Sequence, residues 1–319
     1  MPPSYGTKEY WDARFEREDN YEWLLPADSL NAVVREALCL SQHRISSSGG
    51  NSAPPQILHI GCGSSNVSFQ LRGLVDSPRQ VTNVDYSENA VRKCRQREAA
   101  ALSSAVLEES GAGSALGMRW ETADLLAADS IARLGGGNDE NGSFFFDVVA
   151  DKSTCDAMGC ADDAPVTLPF VSPRNGVQPG MDNSNGSCNN RNANNNNNNN
   201  NKNDDDGAAA TTARVHPMYL LALHMAVLTP PRTGRWCAIS YSDDRFSFLD
   251  GAEEEAEAPV GDDLLKRGFP DPRRFWRVER KERVTVAPPA AATESGGHVV
   301  HQPEIAYWLY VLGRTNGVV

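Results

Sequence analysis

The chain has 319 residues, 40% of them hydrophobic and 23% charged, with a formal net charge of −12. No apolar run approaches the ~20 residues that cross a bilayer, so a globular chain without a membrane partner is expected. The acidic balance argues against a nucleic-acid partner, because affinity for phosphates comes largely from Lys and Arg. Much of the acidity falls in low-complexity stretches and reads as solvated loops, though it also suits a cationic partner.

Met1-Pro2-Pro3-Ser4-Tyr5-Gly6 passes directly into charged and aromatic residues. The basic-then-apolar order of a secretory signal is missing there, so a cytoplasmic location is expected. Seven cysteines, at 39, 62, 94, 155, 160, 188 and 237, form no CxxC pair and have no histidines at ligand spacing. Reduced thiols and no metal are the expectation.

Tyr10-Trp11-Asp12-Ala13-Arg14-Phe15-Glu16 and Tyr21-Glu22-Trp23-Leu24 are dense in aromatics ahead of any strand. Those at 11, 15 and 23 either close over a ligand or pack on the domain. Leu30, Val33, Val34, Ala37 and Leu38 recur at helical spacing and predict a helix from Asp28 to Leu40, with Asp28 or Ser29 as N-cap. A Ser/Gly/Asn/Pro linker over 46–55 leads to Gln56-Ile57-Leu58-His59-Ile60, a short apolar run that suits a buried parallel strand and stops at Gly61.

Val67 to Leu74 reads as a helix, and Gln80 to Val84 as a second strand ending at Asp85. Ser87 is placed to cap the helix after it. A third strand around Met118-Arg119-Trp120 leads to Asp124, and Phe144 to Ala150 is a fourth, almost wholly apolar and so central. Ser172 to Gly207 is low-complexity, with eight consecutive asparagines at 194–201, and has little that could offset ordering entropy. Met218 to Leu228 reads as an apolar helix, Arg235 to Tyr241 as a strand, and Phe275 to Val286 with Ile305 to Leu312 as a terminal hairpin. Strand and helix alternate, which implies an α/β Rossmann-like sheet of seven mostly parallel strands, with helices on both faces and a C-terminal antiparallel hairpin.

Gly61-Cys62-Gly63 lets backbone amides approach a ligand closely, because glycine has no Cβ to block it. Asp85, just over twenty residues on and at the next strand end, can accept both hydroxyls of a ribose. Asp124, after the third strand, can hold the exocyclic amine of adenine. Asp151-Lys152-Ser153-Thr154-Cys155-Asp156 ends the central strand, where ligand sites of open α/β sheets gather. Asn66 stands where a dinucleotide fingerprint needs a small third residue, which argues against a nicotinamide enzyme.

As an ordered set these motifs resemble the seven-β-strand lysine methyltransferases related to those acting on elongation factor 1-alpha, the methyltransferase-like 13 and endothelin-converting-enzyme-2-fused group. The resemblance lies in Tyr10–Phe15 with Glu22-Trp23, Ile57–Ser65, Asn83–Ser87, Arg119–Asp124 and Phe146–Met158, with weaker echoes in Ile239–Ser242 and Tyr307–Leu312. It implies S-adenosylmethionine as cofactor and a protein lysine as acceptor. Trp11, Phe15 and Trp23 would line the cofactor pocket, with Gly61 against the methionine moiety and Gly63 also among the cofactor-binding residues. Asp85 would bind the ribose beside Tyr86, Asp124 and Leu125 would flank the adenine, and Lys152 would sit at the pocket floor.

Asp151 and Asp156 are the candidate acceptor-side carboxylates, with helix capping or loop hydrogen bonding as the alternative for each. Ser153-Thr154-Cys155-Asp156 replaces the Gly-Thr-Leu-Asp usual in that family. The expected layout is one domain: residues 1–55 cover the cofactor, 56–170 form the binding half, 171–213 are a disordered Asn-rich insertion, and 214–319 complete the domain with a polar insertion near 250–263. The alternatives are a small-molecule methyltransferase and a non-catalytic, methyltransferase-like binding module.

Overall fold

The computed structural model describes residues 3–46, 54–108, 117–136, 145–173, 210–250, 260–286 and 305–319. The asparagine run and most of the polar insertion near 250–263 lie outside the described residues.

Nine strands and eight helices succeed one another in the described chain. The strands are β1 (Ile57–Ile60), β2 (Val81–Asp85), β3 (Arg119–Thr122), β4 (Val148–Lys152), β5 (Ala164–Leu168), β6 (Thr211–Val215), β7 (Arg235–Ser240), β8 (Trp276–Val286) and β9 (Ile305–Arg314). The helices are α1 (Lys8–Arg17), α2 (Asn31–Ser46), α3 (Val67–Arg72), α4 (Glu88–Glu108), α5 (Ala128–Gly135), α6 (Thr154–Met158), α7 (Pro217–Leu228) and α8 (Asp262–Lys266).

Seven strands form one sheet in the order β3-β2-β1-β4-β7-β9-β8. The first five are mutually parallel, while β9 runs antiparallel to both β7 and β8. This is the expected Rossmann-like α/β sheet, and the terminal hairpin supplies its antiparallel edge. The chain order reverses between β1 and β4, the kind of switch point where open α/β sheets bind ligands.

Side chains of a strand alternate between faces, so each strand feeds two cores. Ile57, Val81, Val148, Ala150, Cys237 and Ile239 join one apolar cluster with Leu30, Val33 and Val34. Leu58, Ile60, Val84, Val149, Trp236 and Ala238 join the other with the buried face of α7. Helix α7 is apolar all round, and of its residues only Tyr219 is not fully buried. Helices therefore cover both faces, and a near-continuous apolar run such as Val148-Val149-Ala150 is what a doubly covered strand requires.

Three expectations are corrected. The central strand expected over Phe144 to Ala150 runs from Val148 to Lys152 among the described residues, which exclude Phe144, because Ile60 pairs with Asp151 and Ile239 with Lys152 and both neighbours extend the ladder. The helix expected from Asp28 starts as a single 3-10 turn at Ala27–Leu30, and α2 proper begins at Asn31. Thr211–Ala213, assigned to the disordered insertion, belong to β6, which pairs antiparallel with β5 and turns Ala213 and Val215 onto Ala164, Val166 and Leu168.

Trp236 is fully buried, donates from Nε1 to Asp151 Oδ2 at 3.2 Å, and packs edge-to-face on Phe246 at 5.1 Å. Trp236→Ala is expected to lower unfolding stability by about 3–5 kcal/mol, the usual cost of emptying a large core site. Urea unfolding followed by far-UV circular dichroism checks it, and a loss below ~1 kcal/mol would contradict this account of the core.

Candidate functional site

A cavity of about 540 Å³ opens at the C-terminal ends of β1, β2, β3 and β4. Its floor is the turn after β1. Gly61 and Gly63 adopt φ of 54° and 49°, the left-handed region that suits glycine. A Cβ at Gly61 would overlap the Thr154 hydroxyl, which itself donates to Ile60 O at 2.9 Å, so the turn is closed from behind as well as bent.

Asp85 ends β2 and forms the next wall. Its two oxygens accept from Gly63 N at 2.9 Å and from Ser87 N at 2.8 Å, which ties the glycine turn to the start of α4. Among the described residues no cation pairs with this carboxylate, and it is 5% exposed. Burial pushes its pKa up to about 6 against the opposing pull of the Ser87 and Gly63 amides. Each oxygen can accept a further hydrogen bond, so the residue is suited to a diol.

Asp124 and Leu125 follow β3. Asp124 is exposed and caps the turn through Leu126 N at 2.9 Å, whereas Leu125 is buried and its carbonyl accepts from His224 Nδ1 at 2.7 Å. Both line the cavity beside Tyr86, whose hydroxyl donates to Thr7 O at 3.0 Å.

The N-terminal segment forms the roof. Trp11 stacks on Phe15 with ring centroids 5.6 Å apart and meets Trp23 edge-on at 5.7 Å, and all three line the cavity. The Arg14 guanidinium lies 4.6 Å from the Trp23 ring centre and bonds Glu18 at 2.7 Å. Glu18 in turn accepts from Ser64 Oγ at 2.9 Å. At Gly6 a Cβ would overlap the backbone of Ala161, so the segment lies directly on the turn after α6.

Glu22 fastens this roof to the floor. Its carboxylate accepts from Ser65 Oγ at 2.8 Å, Asn66 N at 2.6 Å and Lys152 Nζ at 2.5 Å. Burial works against its charge, but the Lys152 ammonium and the Asn66 amide hold its pKa below the usual carboxylate value. Lys152 also donates to Leu25 O at 2.8 Å, and its side chain is 3% exposed. It lines the cavity, with its charge spent on the roof.

The structure thus brings Trp11, Phe15, Trp23, Gly61, Gly63, Asp85, Tyr86, Asp124, Leu125 and Lys152 together around one cavity. Asp151 and Asp156 are outside it. Asp151 points to the opposite sheet face from Lys152, where it caps α6 through Thr154 N at 2.8 Å and holds Trp236. It is fully buried, and burial together with nearby Asp156 pushes its pKa up to about 7. Asp156 accepts from Ser240 Oγ at 2.5 Å, Tyr241 N at 2.9 Å and Arg245 Nε at 3.1 Å, which joins α6 to the loop after β7. Of the two roles the sequence leaves open for these carboxylates, these contacts are those of capping and loop hydrogen bonding.

Sequence reasoning missed His59 as a cavity residue and Glu22 as its fastener. The alternation of β1 could have shown that His59 shares a face with Ile57. No local signal links residues 22 and 152.

No protein-family model matches the chain. It is 31% identical over 166 residues to "Methyltransferase srdJ" of Neurospora crassa, a match covering 51% of this chain and 58% of that protein. The chain thus spans little more than half the length of that curated relative. Solved structures similar to it include the magnesium protoporphyrin IX methyltransferase of Synechocystis PCC 6803, at 12% identity and a TM-score of 0.38, covering 99% of this chain and 98% of that one. TrmN of Thermus thermophilus is similar at 14% identity and a TM-score of 0.36, over 90% and 53%. At likenesses this distant, the fold rests on its own strand order and register.

Removing one partner of a buried ion pair leaves the other charge uncompensated, which costs about 3–5 kcal/mol. Glu22→Ala is expected to destabilise the protein on that order, and adding Lys152→Met is expected to recover much of the loss. Chemical unfolding of both variants checks it, and an unaltered midpoint in the single variant would show that the clasp carries no weight.

Proposed function

We propose that the chain is an S-adenosylmethionine-dependent methyltransferase acting on a protein lysine. The observation that carries the cofactor reading is Asp85: a buried carboxylate with no ion-pair partner among the described residues, bound to the bare backbone of the glycine turn and facing a cavity roofed by aromatics. Such a group awaits neutral donors, which a ribose diol provides. Gly61 and Gly63 leave the backbone uncovered for the amino-acid end of the ligand, and Asp124 stands ready for an exocyclic amine. The name of the Neurospora crassa relative supports the same activity over half of the chain.

When bound, the cofactor supplies a methyl group already activated on a sulfonium. The protein's own work is to hold the ribose on Asp85, orient the ligand along the glycine turn, and exclude water under Trp11, Phe15 and Trp23. Transfer then requires an unprotonated nucleophile in line with the methyl. With Asp151 and Asp156 turned away, desolvation against Ala157, Met158 and Ala161 would lower the pKa of an ammonium acceptor, which would release its proton to solvent water as it enters the cavity.

The ordered motif resemblance supports lysine, and it points to a translation elongation factor as the protein substrate, methylated in the cytoplasm. The net charge of −12 suits a cationic side chain. A second reading, a small-molecule acceptor, is favoured by Gly6, whose close seat on the Ala161 turn closes that side of the cavity. Incubation with methyl-labelled cofactor and a cell lysate separates the two. Label on protein lysines is expected, and label confined to small molecules would overturn the lysine assignment.

Asp85 accepts hydrogen bonds from both hydroxyls of a diol when ionised and accepts them less well once protonated, when one oxygen becomes a donor. Because its pKa is raised, to about 6, affinity for S-adenosylhomocysteine is expected to be level above that pH and to fall by up to about tenfold per unit below it. Asp85→Asn is expected to bind roughly tenfold or more weakly at pH 8, with that pH step removed. Calorimetric titration across pH 5 to 8 reads both effects.

A further inference from the structure

His59 lies in β1, two residues before the glycine turn, and is 1% exposed. One edge of its ring is occupied: Nδ1 lies 3.0 Å from Ser68 Oγ and 3.3 Å from Asn83 Oδ1. The orientation of Asn83 is set independently, since its amide nitrogen donates to Arg119 O at 3.2 Å and approaches Met118 Sδ at 3.7 Å. Asn83 therefore presents its oxygen to the histidine, an acceptor that only a protonated Nδ1 can satisfy. The proton sits on Nδ1, and Nε2 carries a bare lone pair.

Nε2 has no hydrogen-bond partner among the described residues, yet it is not one of their fully enclosed orphaned atoms. Its ring lines the cavity. Nε2 thus keeps some exposure, on the same sheet face as Lys152 and beside the glycine turn that lines the cavity. Burial keeps the ring neutral, with its pKa lowered to about 4. Lys152 adds to that effect, while Asn83 and Glu22 oppose it.

We infer that His59 Nε2 accepts a hydrogen bond from the α-ammonium of the cofactor's amino-acid moiety, making His59 the residue that selects a ligand with that moiety over a plain thioadenosine. This rests on the cofactor reading above. A buried neutral acceptor without a partner is costly, and a charged donor compensates it better than water does.

Two nucleosides separate the claims: S-adenosylhomocysteine, which carries the ammonium, and 5′-methylthioadenosine, which lacks the whole amino-acid end. His59→Leu is expected to weaken the first roughly tenfold or more and to leave the second within about twofold. In the wild type, the imidazole ¹⁵N resonance of His59 Nε2 is expected to move upfield on adding the first and to stay in place on adding the second, a readout that needs no variant to fold. Equal weakening of both nucleosides by His59→Leu, no weakening of either, or an unmoved Nε2 resonance would overturn the role of His59 while the cofactor reading stands. A wild type that binds neither nucleoside would instead overturn the cofactor reading itself.

Discussion

The site depends on one carboxylate. Glu22 takes hydrogen bonds from the glycine turn through Ser65 and Asn66 and an ion pair from Lys152 at the end of β4. The N-terminal segment has no strand partner of its own among the described residues, so side-chain contacts must hold it over the cavity. Glu18 on Ser64, Tyr86 on Thr7 and Lys93 on the end of α1 add to the fastening. Among these contacts, Glu22 alone joins the segment both to the glycine turn and to the central strand. The Lys152 side chain is buried while Glu22 is 27% exposed, so loss of Glu22 leaves a buried ammonium uncompensated, a penalty that no exposed pair would leave.

The sheet's two-residue alternation then decides which chemistry the cavity receives. Neighbouring positions in β4 have opposite fates: Lys152 reaches the roof, and Asp151 turns onto Trp236 and α6. The same parity puts His59 on the cavity side of β1 and hides Leu58 in the opposite core. The cavity therefore presents acceptors that no cation pairs directly among the described residues: Asp85 with its raised pKa, and the open nitrogen of His59. Both are unfavourable in isolation and both gain from a ligand that brings donors, a polarity suited to a ribose and an ammonium.

On the acceptor side the structure supplies small and apolar walls, Ala157, Met158 and Ala161, with the roof lying close on Ala161. The carboxylates that looked available there, Asp151 and Asp156, each have a full set of local donors. Their presence beside the site reflects how α6 is joined to β7.

Much of this was legible in the amino-acid sequence. Gly61 and Gly63, Asp85, Asp124 and the aromatics at 11, 15 and 23 all line the cavity, because strand ends and tight turns are written in neighbouring residues. Other features had no local sign. Strands β5 and β6 pair across the long segment between Leu168 and Thr211, and the central strand gained Asp151 and Lys152 from the ladders on its two sides. By itself, then, the sequence determined an α/β sheet with a nucleoside-binding turn, since glycine geometry and apolar periodicity act within a few residues. Only the tertiary structure decided that Lys152 serves the roof, that Asp151 and Asp156 serve the frame and that His59 faces the cavity. Those outcomes arise from sheet parity and from contacts such as Glu22 to Lys152, made between residues 130 positions apart.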